Sequence, residues 1–281
     1  MASDPRNAPL ARIAVIGVTG RMGQALLRAA PLFPQLLITA AIASTRSLAL
    51  GRDAGEVAGI GRTNLTVTSD LRGALADADV AVDFSQSDAT GANVAACRAA
   101  RKPLLIGTTG LDAALEPAIA AAAGEIAILV APNTSIAVAL LVELVRASAR
   151  TLPAAFDIDV LELHHRSKRD APSGTALTLG RAAAGARGLP LPSGPTPTPS
   201  GAAALEGRPE GQIGITSVRA GDIVGEHTVL FSGPGEQLSL SHRASDRAIF
   251  ARGALTAALW LMSQPAGRYG MRDFIGVKTL P

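Results

Sequence analysis

Between Glu162 and Thr175 the chain reads Glu-Leu-His-His-Arg-Ser-Lys-Arg-Asp-Ala-Pro-Ser-Gly-Thr. His164, His165 and Lys168 place two imidazoles and an ammonium within five positions, and imidazole titrates near neutral pH. If a strand continues through them, the two histidines face opposite sides; if it ends there, both can turn inward. Lys168 offers a point charge and a proton source, Arg166 and Arg169 add positive field, and Asp170 offsets part of it. Pro172-Ser173-Gly174-Thr175 then sets hydroxyls and backbone N–H groups at the start of a helix, a ready carboxylate site. Taken singly, each piece has a plain explanation: a satisfied histidine, a solvated charge run, a helix cap. Together they make a clamp for an anion with proton donors beside it.

A second constellation lies near the N-terminus. Gly17-Val18-Thr19-Gly20-Arg21-Met22-Gly23 follows a short apolar run and opens an Ala- and Leu-rich stretch. A backbone turning tightly from strand into helix needs glycine to bring bare N–H groups against a pyrophosphate at the positive helix end. The spacing G-x-x-G-x-x-G is less specific than G-x-G-x-x-G, and a turn without ligand is the alternative. Roughly twenty residues further on, a fold that prefers NAD places a carboxylate on the ribose 2′-hydroxyl. Here Pro31 to Arg52 contains none, and the second apolar run ends at Ala43-Ser44-Thr45-Arg46. The hydroxyl of Ser44 and the guanidinium of Arg46 suit the 2′-phosphate of NADPH, with NADH still possible, unless Arg46 is only a solvated loop charge. Gly107-Thr108-Thr109-Gly110 and Ala131-Pro132-Asn133 each follow an apolar run, at the edge where open α/β sheets bind ligands. Either segment could equally be an ordinary turn, but its position favours cofactor contact, at Gly107 and Thr109 in the first and at Ala131 and Asn133 in the second.

These sites need a scaffold, and the texture of the 281 residues supplies one. Strands are expected over Arg12–Ile16, Leu37–Ala43, Val80–Asp83, Leu104–Ile106 and Ile126–Ala131. Helices are expected over Gly23–Ala30, Ser87–Arg101, Asp112–Ala123 and Ser135–Arg150. The strands are continuous apolar runs, as when helices cover both faces of a parallel sheet. After Asn133 come a strand at Asp157–Leu163, a helix at Thr175–Ala184 and a Pro/Gly/Ser/Thr-rich loop at Gly188–Gly207. Strands at Ile213–Arg219, Thr228–Ser232 and Gln237–His242 follow at short spacing, which suggests an antiparallel or mixed sheet, and Ala248–Met262 is again helical. The expected architecture is α/β: a Rossmann-like dinucleotide-binding domain over residues 1–133 and an α+β substrate and oligomerisation domain with a mixed sheet over 134–242. A C-terminal segment, 243–281, returns to the first domain. Closure about a hinge near Asn133 and His242 would assemble the site.

Composition excludes several classes. Net charge is +3, and no aromatic residues interleave with the basic cluster to stack on bases, so nucleic acid is not expected. No apolar run reaches the ~18 residues of a membrane span, and the start, Met1 to Ala11, lacks a signal-peptide pattern. A cytoplasmic protein is expected. Cys97 is the single cysteine, which excludes an internal disulfide and a thiolate cluster, and no metal is expected.

The segment Glu162 to Ala176 resembles the signature of the dihydrodipicolinate reductases. Similarity extends to Gly17–Gly23, Val82-Asp83-Phe84, Gly107–Gly110, Ala131-Pro132-Asn133 and Arg219-Ala220-Gly221-Asp222-Ile223-Val224-Gly225-Glu226-His227, in order along the chain from Arg12. The resemblance implies NAD(P)H-dependent reduction of 4-hydroxy-tetrahydrodipicolinate, a small cyclic dicarboxylate, on the diaminopimelate route to lysine. It implies that His164 donates a proton with Lys168 as partner, and that His165, Lys168, Ser173, Gly174 and Thr175 hold the substrate. It assigns Gly17, Thr19, Gly20, Arg21, Met22 and Gly23 to the cofactor, puts Gly107, Thr109 and Asn133 near the nicotinamide and its ribose, and implies a homotetramer built mainly through the second domain's sheet. His227 and His242 read as structural. Two departures stand out: Ala43 replaces an acidic residue frequent in relatives, and Thr134 with Ala137-Val138-Ala139 replaces a bulky residue and a Gly-Val-Asn. Other readings are a different two-domain Rossmann dehydrogenase, or a non-catalytic NADP sensor.

Overall fold

The N-terminal apolar runs line up side by side in the computed structural model, which describes residues 10–190 and 211–276. Residues 10–135 with Ala248–Gly276 form one compact unit, and Ile136–Arg247 another. In the first, strands β1 (Ala11–Ile16), β2 (Leu36–Ile42), β3 (Val67–Thr68), β4 (Val80–Asp83), β5 (Leu104–Ile106) and β6 (Ala127–Val130) alternate with helices. These helices are α1 (Arg21–Ala29), α2 (Ala54–Ala58), α3 (Leu71–Ala76), α4 (Ser87–Ala99) and α5 (Glu116–Ala123). The second unit holds α6 (Ile136–Thr151), β7 (Asp157–His164), α7 (Gly174–Arg187), β8 (Ile213–Arg219), β9 (Gly225–Gly233) and β10 (Glu236–Ala244). The chain then re-enters the first unit as α8 (Ala248–Leu261), β11 (Gly267–Tyr269) and α9 (Met271–Ile275).

The first sheet is seven-stranded in the order β11-β6-β5-β4-β1-β2-β3, with every pairing parallel. Strand order reverses between β1 and β4, so their carboxyl ends frame the crevice where such sheets take ligands. Alternate residues feed two cores. Ile13, Val15, Val80, Val82, Leu105 and Leu129 pack with residues of α1 and α8, while Ala14, Ile16, Ala81, Leu104, Ile106 and Ile128 pack with residues of α4 and α5. Both faces are covered, which is why these strands read as unbroken apolar runs.

The second sheet, β10-β9-β7-β8, is mixed: β7 and β8 are parallel, the other pairs antiparallel. Ile158, Val160, Ile213, Ile215, Val229 and Phe231 face a core shared with α6 and α7. Arg187 closes this unit by donating to the carbonyls of Ala149 at 3.0 Å, Phe156 at 2.6 Å and Pro153 at 3.1 Å.

Expected and observed elements differ mainly at their ends. The helix expected from Asp112 begins as a 3₁₀ turn over Ala113–Leu115 and becomes α-helical at Glu116, because Pro117 is tolerated only in a helix's first turn. Five short elements, α2, α3, α9, β3 and β11, span two to six residues each, too few to carry a periodic pattern. The helix over Thr175–Ala184 runs on to Arg187 and stops at Gly188, which adopts a φ of 66°. The rest of the loop expected after Gly188, from residue 191, and the polar stretch before residue 10 lie outside the described residues. Among the described residues no helix is long and apolar enough to cross a membrane.

Candidate active site

In the second unit the site grows out of the sheet's core face. Along β7, Ile158, Val160, Glu162 and His164 are buried in alternation, so the apolar rows give way to polar ones toward the strand's carboxyl end. Glu162 lies opposite His227 on β9, and His227 opposite His242 on β10, while His164 lies opposite Arg219 on β8. Above them sits the first turn of α7. Its cap, Ser173, accepts the Ala176 N–H at 3.2 Å through Oγ, which also bonds His227 Nε2 at 3.0 Å.

Glu162 is fully buried and carries the network. One carboxylate oxygen accepts from Arg219 Nη2 at 2.7 Å and from the Ser173 N–H at 3.3 Å; the other bonds His164 Nδ1. Arg219 reaches on to the Asp170 carbonyl at 2.6 Å, tying the loop after β7 to the same guanidinium. Burial acting alone would raise the Glu162 carboxyl, but the hydrogen bonds from Arg219 and His164 hold it at about 2. Burial pushes the His164 imidazole below its ordinary value even against the pull of Glu162. The pair is therefore a carboxylate beside a neutral imidazole. The His164 and His227 rings meet edge to face, centroids 5.1 Å apart, and burial takes His227 down to about 4.

Of the two arrangements open for the adjacent histidines, the structure ends the strand at His164 and puts His165 in the loop. His165 is half-buried there, with Nδ1 2.9 Å from Ser167 Oγ and Nε2 3.3 Å from Arg247. Lys168 pairs with Asp170 at 2.8 Å and is largely covered, whereas Asp170 is open to solvent. Gly174 and Thr175 form the first turn of α7, the positive end of the helix. The set can orient a proton on an imidazole and present positive charge and amide dipoles to a carboxylate. Glu162, His164 and His227 bring possible metal-binding atoms within 4.8 Å of one another. The Arg219 guanidinium on Glu162 would repel a cation there, so the trio reads as a hydrogen-bond network.

In the first unit, Gly17 has a φ of 84°, and a Cβ on it would sit 2.5 Å from the Phe84 carbonyl. On Gly23 a Cβ would come 2.3 Å from the Gly17 carbonyl, so helix and strand approach to a distance only glycine permits. Gly20 caps α1 without a side-chain hydrogen bond, and the helix's first turn holds no acidic residue. That open positive end fits a phosphate. Arg21 is exposed beside it, while the half-buried Met22 side chain packs on the core. Gly107 is needed for packing too: a Cβ there would lie 2.2 Å from the Phe84 ring. Thr109 is exposed, Ala131 is buried, and Asn133 accepts the Ser135 N–H at 2.9 Å. Beyond β2, Ser44 and Arg46 are exposed, with the Arg46 N–H 3.3 Å from Ser44 Oγ. The first carboxylate after them, Asp53, is spent on the Gly55, Glu56 and Thr63 amides.

Sequence reasoning did not single out Glu162 or Arg219 as parts of the site, nor Asp83. Asp83 is buried at the end of β4, where it accepts from the Ser85 N–H at 2.8 Å and Asn93 Nδ2 at 3.0 Å. The period of two in β7 was a usable signal for Glu162; for Arg219 only the pairing of β7 with β8 reveals the contact.

Two family profiles match the chain, "Dihydrodipicolinate reductase, N-terminus" over residues 11–134 and "Dihydrodipicolinate reductase, C-terminus" over 137–275. The chain belongs to the dihydrodipicolinate reductase family. Among its relatives, the 4-hydroxy-tetrahydrodipicolinate reductase of Alkalilimnicola ehrlichii is 46% identical over 274 residues, covering 95% of this chain and 99% of the relative. That of Halorhodospira halophila is 45% identical over 273 residues, covering 94% and 98%. A dipicolinate-bound dihydrodipicolinate reductase from Paenisporosarcina sp. TG-14 superposes with a TM-score of 0.75 over 94% of this chain and 99% of that one. At 24% identity this last likeness speaks for the reductase fold alone.

Proposed function

We propose that the chain reduces 4-hydroxy-tetrahydrodipicolinate to tetrahydrodipicolinate with loss of water, on the diaminopimelate route to lysine. The observation that carries this reading is the buried layer of Glu162, His164, His227 and Ser173 beneath the first turn of α7, in a chain matched by the family over both halves.

Reduced nicotinamide supplies the hydride, and the protein supplies position and charge. The open end of α1, with the Gly17–Gly23 turn and Arg21, would hold the cofactor's phosphates. Gly107, Thr109, Ala131 and Asn133 would lie along its nicotinamide half. NADPH is the preferred cofactor on this reading: Ser44 and Arg46 face solvent without a competing carboxylate, since Asp53 is already committed. Two substrate carboxylates suit Lys168, His165, the amides of Gly174 and Thr175 and the Thr175 hydroxyl, while Ser173, its Oγ and N–H committed to His227, Ala176 and Glu162, would hold the turn that presents them. His164, with Lys168 beside it, would give the proton that accompanies hydride addition. A cytoplasmic homotetramer assembled through the mixed sheet completes the proposal.

The test is a coupled assay in which a synthase generates the unstable substrate in place and nicotinamide absorbance is followed with NADPH and with NADH. Substrate-dependent oxidation is expected. Binding of NADPH without oxidation would replace this reading with that of a sensor.

A further inference from the structure

Glu162 has so far been only a member of the network, yet its contacts give it a direction. His164 uses Nδ1 on Glu162, and its other nitrogen, Nε2, lies against Gly225, where a Cβ would come within 3.0 Å. A residue with a side chain at 225 would crowd the one nitrogen left to meet a substrate. Arg219 holds the opposite oxygen of the carboxylate, so Glu162 cannot rotate away without breaking a buried ion pair.

We infer that Glu162 is a positioning residue: clamped by Arg219, it keeps the His164 proton on Nδ1 and turns Nε2 toward the reacting substrate. The inference rests on the proposed reaction and adds to it a tautomer and a counter-ion. In the resting site the ring is neutral, with Nδ1–H on the carboxylate. A bound dicarboxylate brings negative charge that favours a second proton, on Nε2, and Glu162 stabilises the imidazolium so formed. Once the 4-hydroxyl and a neighbouring ring hydrogen have left together as water, hydride adds to the unsaturated ring, the Nε2–H bond breaks and its proton goes to the carbon left electron-rich beside the hydride acceptor. His164 returns to the neutral Nδ1–H form, and solvent restores the Nε2 proton. Cofactor oxidation thus balances addition of one hydride and one proton. The charged and titratable groups facing His164 are Glu162 on its own strand, Lys168 in the loop that follows, Arg219 on β8 and His227 on β9.

The experiment has two arms on the full chain. In the first, Glu162→Gln is compared with the parent across pH. Loss of the carboxylate should move the limb on which kcat falls with rising pH by about one unit toward acid, so turnover above that limb drops about tenfold while the Kd for NADPH stays within twofold. A folded Glu162→Gln protein with an unmoved limb and unchanged kcat overturns the inference. In the second arm, nitrogen NMR of the unmodified, histidine-labelled protein reads which ring nitrogen of His164 bears hydrogen. Nδ1–H is expected at neutral pH, and Nε2–H overturns the inference even if Glu162→Gln does not fold. An unmodified protein that oxidises no NADPH with the substrate refutes the proposed function instead, and leaves the NMR arm to judge Glu162 by itself.

Discussion

Ser173 joins two structures with one oxygen, and the cost of removing it can be worked out beforehand. As cap of α7 it accepts the Ala176 N–H; as partner of His227 it satisfies Nε2 of an imidazole only 5% exposed. Loss of a serine cap costs about 1 kcal/mol. Stranding a buried hydrogen-bonding group costs about 1–3 kcal/mol more. Ser173→Ala should therefore destabilise the second unit by about 2–4 kcal/mol. Ser173→Gly separates the two contributions, because glycine caps almost as well as serine yet leaves His227 equally unpartnered. With His227→Phe in the background, nothing remains to strand, and Ser173→Ala should cost only the cap, about 1 kcal/mol. Opening free energies of α7 amides from native-state hydrogen exchange measure the parent and the four variants locally, without assuming that the two units unfold together. Costs for Ser173→Ala and His227→Phe that add without coupling would falsify the claim that this hydrogen bond matters.

Three further outcomes are expected. His164→Ala and Lys168→Ala should each lower kcat at least a hundredfold, the scale of a lost general acid, with NADPH affinity nearly intact; titration of NADPH fluorescence beside the coupled assay separates the two. Arg46→Glu should weaken NADPH far more than NADH, and equal rises in KM for both cofactors would remove Arg46 from the 2′-phosphate site. Stability should fall as pH drops from about 6.5 toward about 4, because His227 binds its proton more weakly folded than unfolded. Its contribution is complete above the unfolded value and disappears on the way to the folded one. Thermal midpoints of His227→Phe, measured over that range, should change less with pH than those of the parent.

Much of the first unit was legible in advance because burial on both faces of a parallel sheet leaves unbroken apolar runs that no loop imitates. The strand at Val80–Asp83 and that at Leu104–Ile106 have the bounds expected. The turn at Gly17 was likewise visible, since its geometry admits no other residue. Gly107 was read for a cofactor, and the structure adds a nearer reason in the Phe84 ring. Less visible was anything depending on partners far apart in the chain. Arg219 meets Glu162 through the pairing of β7 with β8, with α7 intervening, and no local pattern encodes that meeting. His227 was read as structural, and its bond to the cap of α7 gives it a direct hand in shaping the site.

The row of β7 side chains has a last consequence. Ile158 and Val160 sit in the same alternation as Glu162 and His164, so one periodicity decides both what is greasy and what enters the buried polar network. Slipping the strand by a single residue would throw its oily members into water and carry the acid and the imidazole off with them. Turnover in this protein thus doubles as a proofreader of its own folding: a molecule that has paired its strands wrongly cannot also be a working one.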